Sequence, residues 1–162
     1  MAYQRMETGG ARDFGEDAAD VRVEDIMTAL CATVTRGTSV RDAARVMRDR
    51  DVGFLPVCEP GGHVLGVLTD RDLVLGVLAA DRPVSAPVEE VMTPDPVVCH
   101  KDDDLRTCER LMSDNRIGRL LVLGDEGRLV GIVSVTDLAQ VENDLGVAAL
   151  LADVKIGDAD TH

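Results

Sequence analysis

Apolar and polar positions along this chain run through one pattern twice. The run Val64-Leu65-Gly66-Val67-Leu68 has the length of a strand and stops at the hydroxyl of Thr69; Asp72 stands three positions on, and Leu73 opens a fresh apolar series at helical spacing. Leu129-Val130-Gly131-Ile132-Val133, Ser134, Asp137 and Leu138 repeat this 65 positions downstream, so that Gly66 answers Gly131, Thr69 answers Ser134 and Asp72 answers Asp137. An internal repeat of this kind organises the rest of the chain.

The flanking segments obey the same offset. Val23-Glu24-Asp25-Ile26-Met27-Thr28 is matched by Val88-Glu89-Glu90-Val91-Met92-Thr93, and the β-branched Thr33-Val34-Thr35, a first strand, by Val98-Cys99-His100. Ser39-Val40-Arg41-Asp42 carries the hydroxyl and acid of a capping box and opens a helix with Val40, Ala43, Ala44, Val46 and Met47 on one side and Arg41, Asp42, Arg45, Arg48 and Asp49 on the other. Its counterpart runs from Asp104 through Leu105, Cys108, Leu111 and Met112. Phe54–Cys58 and Val64–Leu68, joined by Glu59-Pro60-Gly61-Gly62, read as a hairpin, repeated by Leu120–Leu123, Gly124-Asp125-Glu126-Gly127 and Leu129–Val133. A helix follows each hairpin, from Thr69 to about Ala80 and from Ser134 to roughly Val141.

Strand, helix, strand, strand, helix in about 50 residues is too little to bury a core alone. The expected fold is therefore α+β, α/β sandwich-like, with two pseudo-symmetric β-α-β-β-α repeats packed sheet to sheet over one shared core. The expected division is a flexible N-terminal tail at 1–20, a first repeat at 21–80, a linker at 81–87 with two prolines, a second repeat at 88–141, and an amphipathic C-terminal helix with an acidic tail at 142–162.

Composition narrows the chemistry. With 30 acidic against 17 basic side chains the formal charge is −13, which opposes binding to nucleic acid or to an anionic membrane, and aromatic residues at 2% leave no stacking platform for single strands. No apolar run approaches the roughly 20 residues of a membrane helix. The polar start lacks an apolar signal segment, so a cytoplasmic protein is expected. Cys31, Cys58, Cys99 and Cys108 show no CxxC spacing and read as reduced, mostly buried thiols; Cys99-His100 with Cys31 has poor spacing for a metal, and His63, His100 and His162 read as solvated. No GxSxG, HExxH or P-loop glycine signature is present, so catalysis is not expected.

Thr69-Asp70-Arg71-Asp72 supports two compatible readings. Thr at the N-cap with Asp three residues on is a helix cap. The same geometry offers amide groups and a hydroxyl to a phosphate, and a carboxylate to ribose hydroxyls. Arg71 lies in a first helical turn, where a cation is disfavoured unless an anion or a neighbouring acid such as Asp70 answers it. Its counterpart is Thr136. Arg119 replaces Phe54 in the second repeat, as a cation for that cleft or as a member of a surface salt bridge. Gly66 and Gly131 serve either close approach of a ligand or sheet packing.

The repeated Val-Glu-acid-apolar-Met-Thr opening, Gly53-Phe54-Leu55-Pro56-Val57 and the paired Gly-apolar-apolar-Thr/Ser-x-x-Asp segments resemble a tandem pair of cystathionine-β-synthase (CBS) domains, a Bateman module, over about residues 22–141. The resemblance is closest to small stand-alone bacterial CBS-pair proteins. It implies a non-catalytic regulatory module, often a homodimer, that holds an adenosine-containing ligand (AMP, ADP, ATP or S-adenosylmethionine) in clefts between the repeats, needs no metal, and signals to a protein partner by a conformational or dimer change. It assigns Thr33, Phe54, Leu55, Pro56, Thr69, Arg71 and Asp72 to the first cleft, with Phe54 and Leu55 against the adenine. Val98, Arg119, Leu120, Leu121, Ser134, Thr136 and Asp137 fall to the second, where Leu121 departs from the family's proline. The competing expectation is a ligand-free dimeric interaction scaffold with degenerate clefts.

Overall fold

The computed structural model describes residues 21–29 and 32–141. The tail expected at 1–20 and the helix and acidic tail expected at 142–162 lie outside them. In chain order the elements are α1 (Val23–Ile26), β1 (Thr28–Ala29), α2 (Val40–Arg50), β2 (Phe54–Cys58), β3 (Val64–Thr69), α3 (Asp70–Leu73), a π-helical turn (Val74–Leu78), a 3-10 turn (Val88–Glu90), β4 (Thr93–Pro94), β5 (Val98–His100), α4 (Leu105–Asn115), β6 (Arg119–Leu123), a 3-10 turn (Asp125–Gly127), β7 (Leu129–Ser134) and α5 (Val135–Val141).

Each expected hairpin is the centre of a sheet. One sheet has the order β2-β3-β4 and the other β1-β7-β6-β5. The hairpins share their irregularity as well as their register: a bulge falls between Val57 and Cys58 and again between Val122 and Leu123. Both long helices are capped as the side chains dictate. The Asp42 amide donates to Ser39 Oγ at 3.1 Å and the Thr107 amide to Asp104 Oδ1 at 2.8 Å, and the helices end at left-handed Asp51 and Arg116, both with φ of 53°.

Three expectations are corrected. The first strand at Thr33–Thr35 is reduced to a single parallel bridge, Val34 to Val57. A local turn competes for the backbone there, since the Thr35 amide donates to Thr38 Oγ1 at 3.2 Å. The single shared core is replaced by two. Leu55, Val57 and Leu68 pack with Val34, Ala43, Met47 and Val88, while Leu120, Val122 and Val133 pack with Cys99, Leu105, Cys108, Met112 and Leu138. Successive strand residues point to opposite faces, so these residues look toward the helices and Pro56, Val67, Leu121 and Ile132 toward the other half. The hairpin tips meet there, the Leu129 amide donating to the Gly62 carbonyl at 2.9 Å. Finally, the helix after Thr69 keeps one α turn and continues as a π-helix, with the Ala79 amide bonded to the Val74 carbonyl at 2.9 Å. Gly76, a poor helix former, faces Val91 in this segment.

The repeat openings are exchanged between the halves. β1 pairs with β7 and β4 with β3, and Val23 and Met27 pack in the second core while Val88 and Met92 pack in the first. Equivalent bonds fasten each exchange: the Val23 amide reaches the Asp103 carbonyl at 3.0 Å, and the Val88 amide the Thr38 carbonyl at 2.8 Å. The segment at 81–87 takes part in this seal. The Val84 and Ala86 carbonyls accept the Arg41 and Val40 amides at 2.9 Å, satisfying donors that a helix start leaves open.

The α4 cap gives a pH-dependent prediction. Hydrogen bonds from the Thr107 backbone and side chain hold the Asp104 carboxyl below the usual carboxylate range. A depressed folded-state pKa contributes stability that is complete above the ordinary carboxylate pKa and disappears as the pH falls through the folded value. Asp104→Ala should therefore lower urea-unfolding stability by about 1 kcal/mol at pH 7, with the gap to wild type closing in acid; a gap constant with pH would mean that the carboxylate is not the capping group.

Candidate functional site

β3 and β7 each deliver a hydroxyl to the start of a helix, and in each half a carboxylate one turn on folds back to meet it. The Thr69 amide donates to Asp72 Oδ2 at 2.8 Å while the Asp72 amide donates to Thr69 Oγ1 at 3.1 Å. In the second half the Ser134 amide and hydroxyl both donate to Asp137 Oδ2, at 2.7 and 2.8 Å, and the Asp137 amide donates to Ser134 Oγ at 3.2 Å. The capping reading of this pattern is thus realised in both repeats. All three carboxylate contacts use Oδ2, and Asp72 and Asp137 are only half-buried, so Oδ1 of each lies outside the cap.

Backbone bonds tie each pair to the neighbouring strand. The Asp70 amide donates to the Gly53 carbonyl and the Val135 amide to the Gly118 carbonyl, both at 3.0 Å. Phe54 lies opposite Thr69 and Arg119 opposite Ser134 in the hairpin registers. Each half thus brings together a hydroxyl, a carboxylate and a strand residue on one face. Phe54, Thr69 and Ser134 are half-buried, Pro56 and Leu121 buried, and Arg119 exposed.

Leu55 and Leu120 lie elsewhere. Both are fully buried among the helix-facing core residues, on the strand face opposite Phe54 and Arg119, so neither side chain reaches a ligand on the hydroxyl–carboxylate face. Thr33, Arg71 and Thr136 are exposed. Arg71 adjoins Asp70, whose Oδ1 accepts the Arg71 amide at 2.8 Å. Among the described residues Arg119 enters no salt bridge.

Val98 lines a cavity of about 290 Å³ with His63, Asp95, Pro96 and Leu123. Sequence reasoning read His63 only as a solvated side chain and did not name Asp95. They approach Val98 because the turn before β3 and the loop after β4 are drawn together by the exchange of openings, which no local pattern signals. The left-handed backbone of Asp95 (φ 48°) marks that loop.

The glycines of the repeat are explained by the exchange. A Cβ on Gly66 would stand 2.6 Å from the Thr93 carbonyl oxygen, and one on Gly131 2.8 Å from that of Thr28. Sheet packing, of the two readings, accounts for both. Cys99 and Cys108 are buried side by side in the second core, where their mutual hydrogen bond and burial push the Cys108 thiol far up, to an unreactive state. Among the described residues no group of His, Cys, Asp and Glu is arranged to hold a metal ion, and no helix is long and apolar enough to cross a membrane.

The family model for the CBS domain matches this chain twice, over residues 23–78 and 88–144. The CBS domain-containing protein YhcV of Bacillus subtilis is 38% identical over 130 residues, covering 79% of this chain and 91% of that protein. Among solved structures, CBSX2 in complex with AMP is 29% identical with a TM-score of 0.64, covering 81% of this chain and 97% of that one. The CBS domain pair of protein MJ0100, in complex with 5′-methylthioadenosine and S-adenosyl-L-methionine, is 26% identical with a TM-score of 0.65, covering 75% and 94%.

Proposed function

This chain belongs to the CBS domain family, as a tandem pair, and we propose that it is a non-catalytic regulatory module that binds an adenosine-containing ligand between its repeats and passes the change in packing to a partner. The observation that carries this reading is the matched hydroxyl–carboxylate pair at the ends of β3 and β7, each with a carboxylate oxygen outside its cap. In this reading Asp72 and Asp137 accept ribose hydroxyls, the Thr69 hydroxyl donates to a phosphate, and Phe54 and Pro56 line an adenine; the Ser134 hydroxyl can serve a phosphate only by leaving Asp137 Oδ2, to which it donates. The nucleotide complexes of similar CBS pairs support an adenosine ligand such as AMP, ADP, ATP or S-adenosylmethionine.

The two clefts differ in chemistry. The first offers Phe54, Pro56 and Arg71, an apolar wall with a cation, whereas the second offers Arg119, Leu121 and Thr136. We assign the stronger nucleotide site to the first. The domain limits inferred from the repeat, 21–80 and 88–141, are retained as sequence units within the exchanged fold, and the working form of the protein in this reading is a cytoplasmic homodimer.

Calorimetric titration with AMP, ADP, ATP and S-adenosylmethionine tests the reading. Asp72→Asn keeps an acceptor for the Thr69 amide but removes the charge, so it should fold and bind the preferred ligand about 10- to 100-fold more weakly, the worth of one or two charged hydrogen bonds. Asp137→Asn should change the same isotherm little. Absence of heat with every ligand, from folded protein stripped of nucleotide, would transfer the proposal to the ligand-free scaffold.

A further inference from the structure

The cavity beside the second cleft carries polar groups that the first repeat does not supply. Its volume is about 290 Å³, with apolar walls from Pro96, Val98 and Leu123 and with His63 and Asp95 as its exposed polar groups. Both are held by backbone contacts. His63 is bridged to Arg128 across the hairpin tips, and its carbonyl accepts the Glu59 amide at 2.9 Å. Asp95 follows β4, whose Pro94 pairs with Gly66, and its amide reaches the Leu65 carbonyl at 3.4 Å. A residue before a proline prefers extended backbone, yet Asp95, before Pro96, has φ of 48°. Strain held at a cavity wall points to a functional site. At the offset of 65, His63 is answered by Arg128, Asp95 by Leu30, Val98 by Thr33 and Leu123 by Cys58. The repeat fold therefore does not require the histidine–aspartate pair.

The cavity and the hydroxyl–carboxylate pair lie along one strand. Val98 pairs with Leu121, and Leu121 shares its strand face with Arg119, which lies opposite Ser134. From Leu123 to Arg119 is the length of β6, about 13 Å at the rise of a strand, comparable to a nucleoside monophosphate from base edge to phosphate. A nucleotide laid along this line meets Asp137 Oδ1 with its ribose and Arg119 with its phosphate, and its base falls to the cavity. The polar groups there decide which base fits. A carboxylate only accepts hydrogen bonds, and its two oxygens suit two donors side by side, whereas an imidazole N–H donates. The Watson–Crick edge of guanine presents that set, with adjacent N1–H and N2–H donors beside the O6 acceptor. Adenine presents one donor, at N6, and turns the lone pair of N1 toward the carboxylate, a repulsive contact.

We propose that the second cleft takes a guanine nucleotide, with Asp95 accepting from N1–H and N2–H and His63 donating to O6. The proposal rests on the reading that the clefts hold nucleotides, and departs from it in the base. The first cleft, walled by Phe54 and Pro56, is the adenosine site. The module then reads two purines at once, one in each cleft, and the choice in the second is made by side chains that reach it from the first hairpin and from the loop after β4.

The experiment is calorimetric titration of the full chain, stripped of nucleotide, with GMP, AMP and XMP. GMP should bind wild type at least about tenfold more tightly than it binds Asp95→Asn. Xanthine has a carbonyl at C2 where guanine has its amino group. XMP should therefore bind wild type poorly and Asp95→Asn well, the asparagine amide donating to that carbonyl while its oxygen accepts from N1–H. His63→Ala should weaken GMP in the wild-type background and XMP in the Asp95→Asn background alike. Both side chains are exposed, so these variants should keep the wild-type melting temperature, which separates lost binding from lost folding. Binding of AMP without GMP overturns this proposal and leaves the adenosine reading standing. So does competition of GMP with AMP for a single site, or GMP binding indifferent to Asp95→Asn and His63→Ala. Heat with no nucleotide at all overturns both.

Discussion

Leu55→Ala is expected to destabilise the protein by about 2–5 kcal/mol, the range for emptying a fully buried leucine site. For a domain of this size that is a fall of roughly 5–20 °C in melting temperature. Leu55 is completely buried among Val57, Leu68, Ala43 and Met47, and alanine there leaves a cavity that the strand and α2 cannot both close. At a temperature where the variant remains folded, its nucleotide affinity should match the wild type's. Phe54→Ala should behave in the opposite way. Its side chain is half-buried on the face shared with Thr69, so stability should change modestly and binding should weaken. Leu120→Ala extends the test to the second half, where it should again cost stability alone. If Leu55→Ala kept its melting temperature and lost ligand, the face assignment of β2 would be wrong.

Gly66→Ala and Gly131→Ala should each cost about 1–3 kcal/mol, as overpacking does. The new methyl at Gly66 meets Met92 Sδ at 2.8 Å, which can swing away, and the Thr93 carbonyl at 2.6 Å, which can move only with β4. At Gly131 the partners are Met27 Sδ at 2.7 Å and the Thr28 carbonyl at 2.8 Å, carried by β1. Both substitutions therefore act on the exchanged openings, and hydrogen exchange should quicken first at β4 or β1 in the respective variant. Met92 and Met27, which the two methyls meet, pack in separate cores, so the effects should add in the double variant. Gly37→Ala is the control: nothing lies within 4 Å of its added methyl, and stability should hold or rise slightly. Equal losses at Gly37 and Gly66 would point to backbone entropy rather than to the crossing chain.

Much of the architecture was legible because its determinants are local. Ser39 and Asp104 start helices by bonding amides three residues away, and Glu59-Pro60-Gly61-Gly62 turns a hairpin between two apolar runs. The hydroxyl and carboxylate of Thr69 and Asp72 were readable for the same reason, being three residues apart on one helical turn. Thr33–Thr35 was misread because β-propensity competes there with a threonine turn of similar worth. Leu55 and Leu120 were placed in the clefts because Phe54-Leu55-Pro56-Val57-Cys58 and Leu120-Leu121-Val122-Leu123 are apolar on both faces. Period-two alternation tells which residues share a face, but a strand covered on both sides does not say which face meets the helices.

The sequence by itself determined the two-fold repeat, the two hairpins, the helix caps and the hydroxyl–carboxylate pairs, since each rests on spacing within a few residues or on one constant offset. Only the tertiary structure decided that β1 crosses to β7 and β4 to β3, and that each half keeps its own core. Those outcomes depend on contacts between segments far apart in the chain, whose free energy comes from burying surfaces against one another, and no single segment encodes the partner that will cover it.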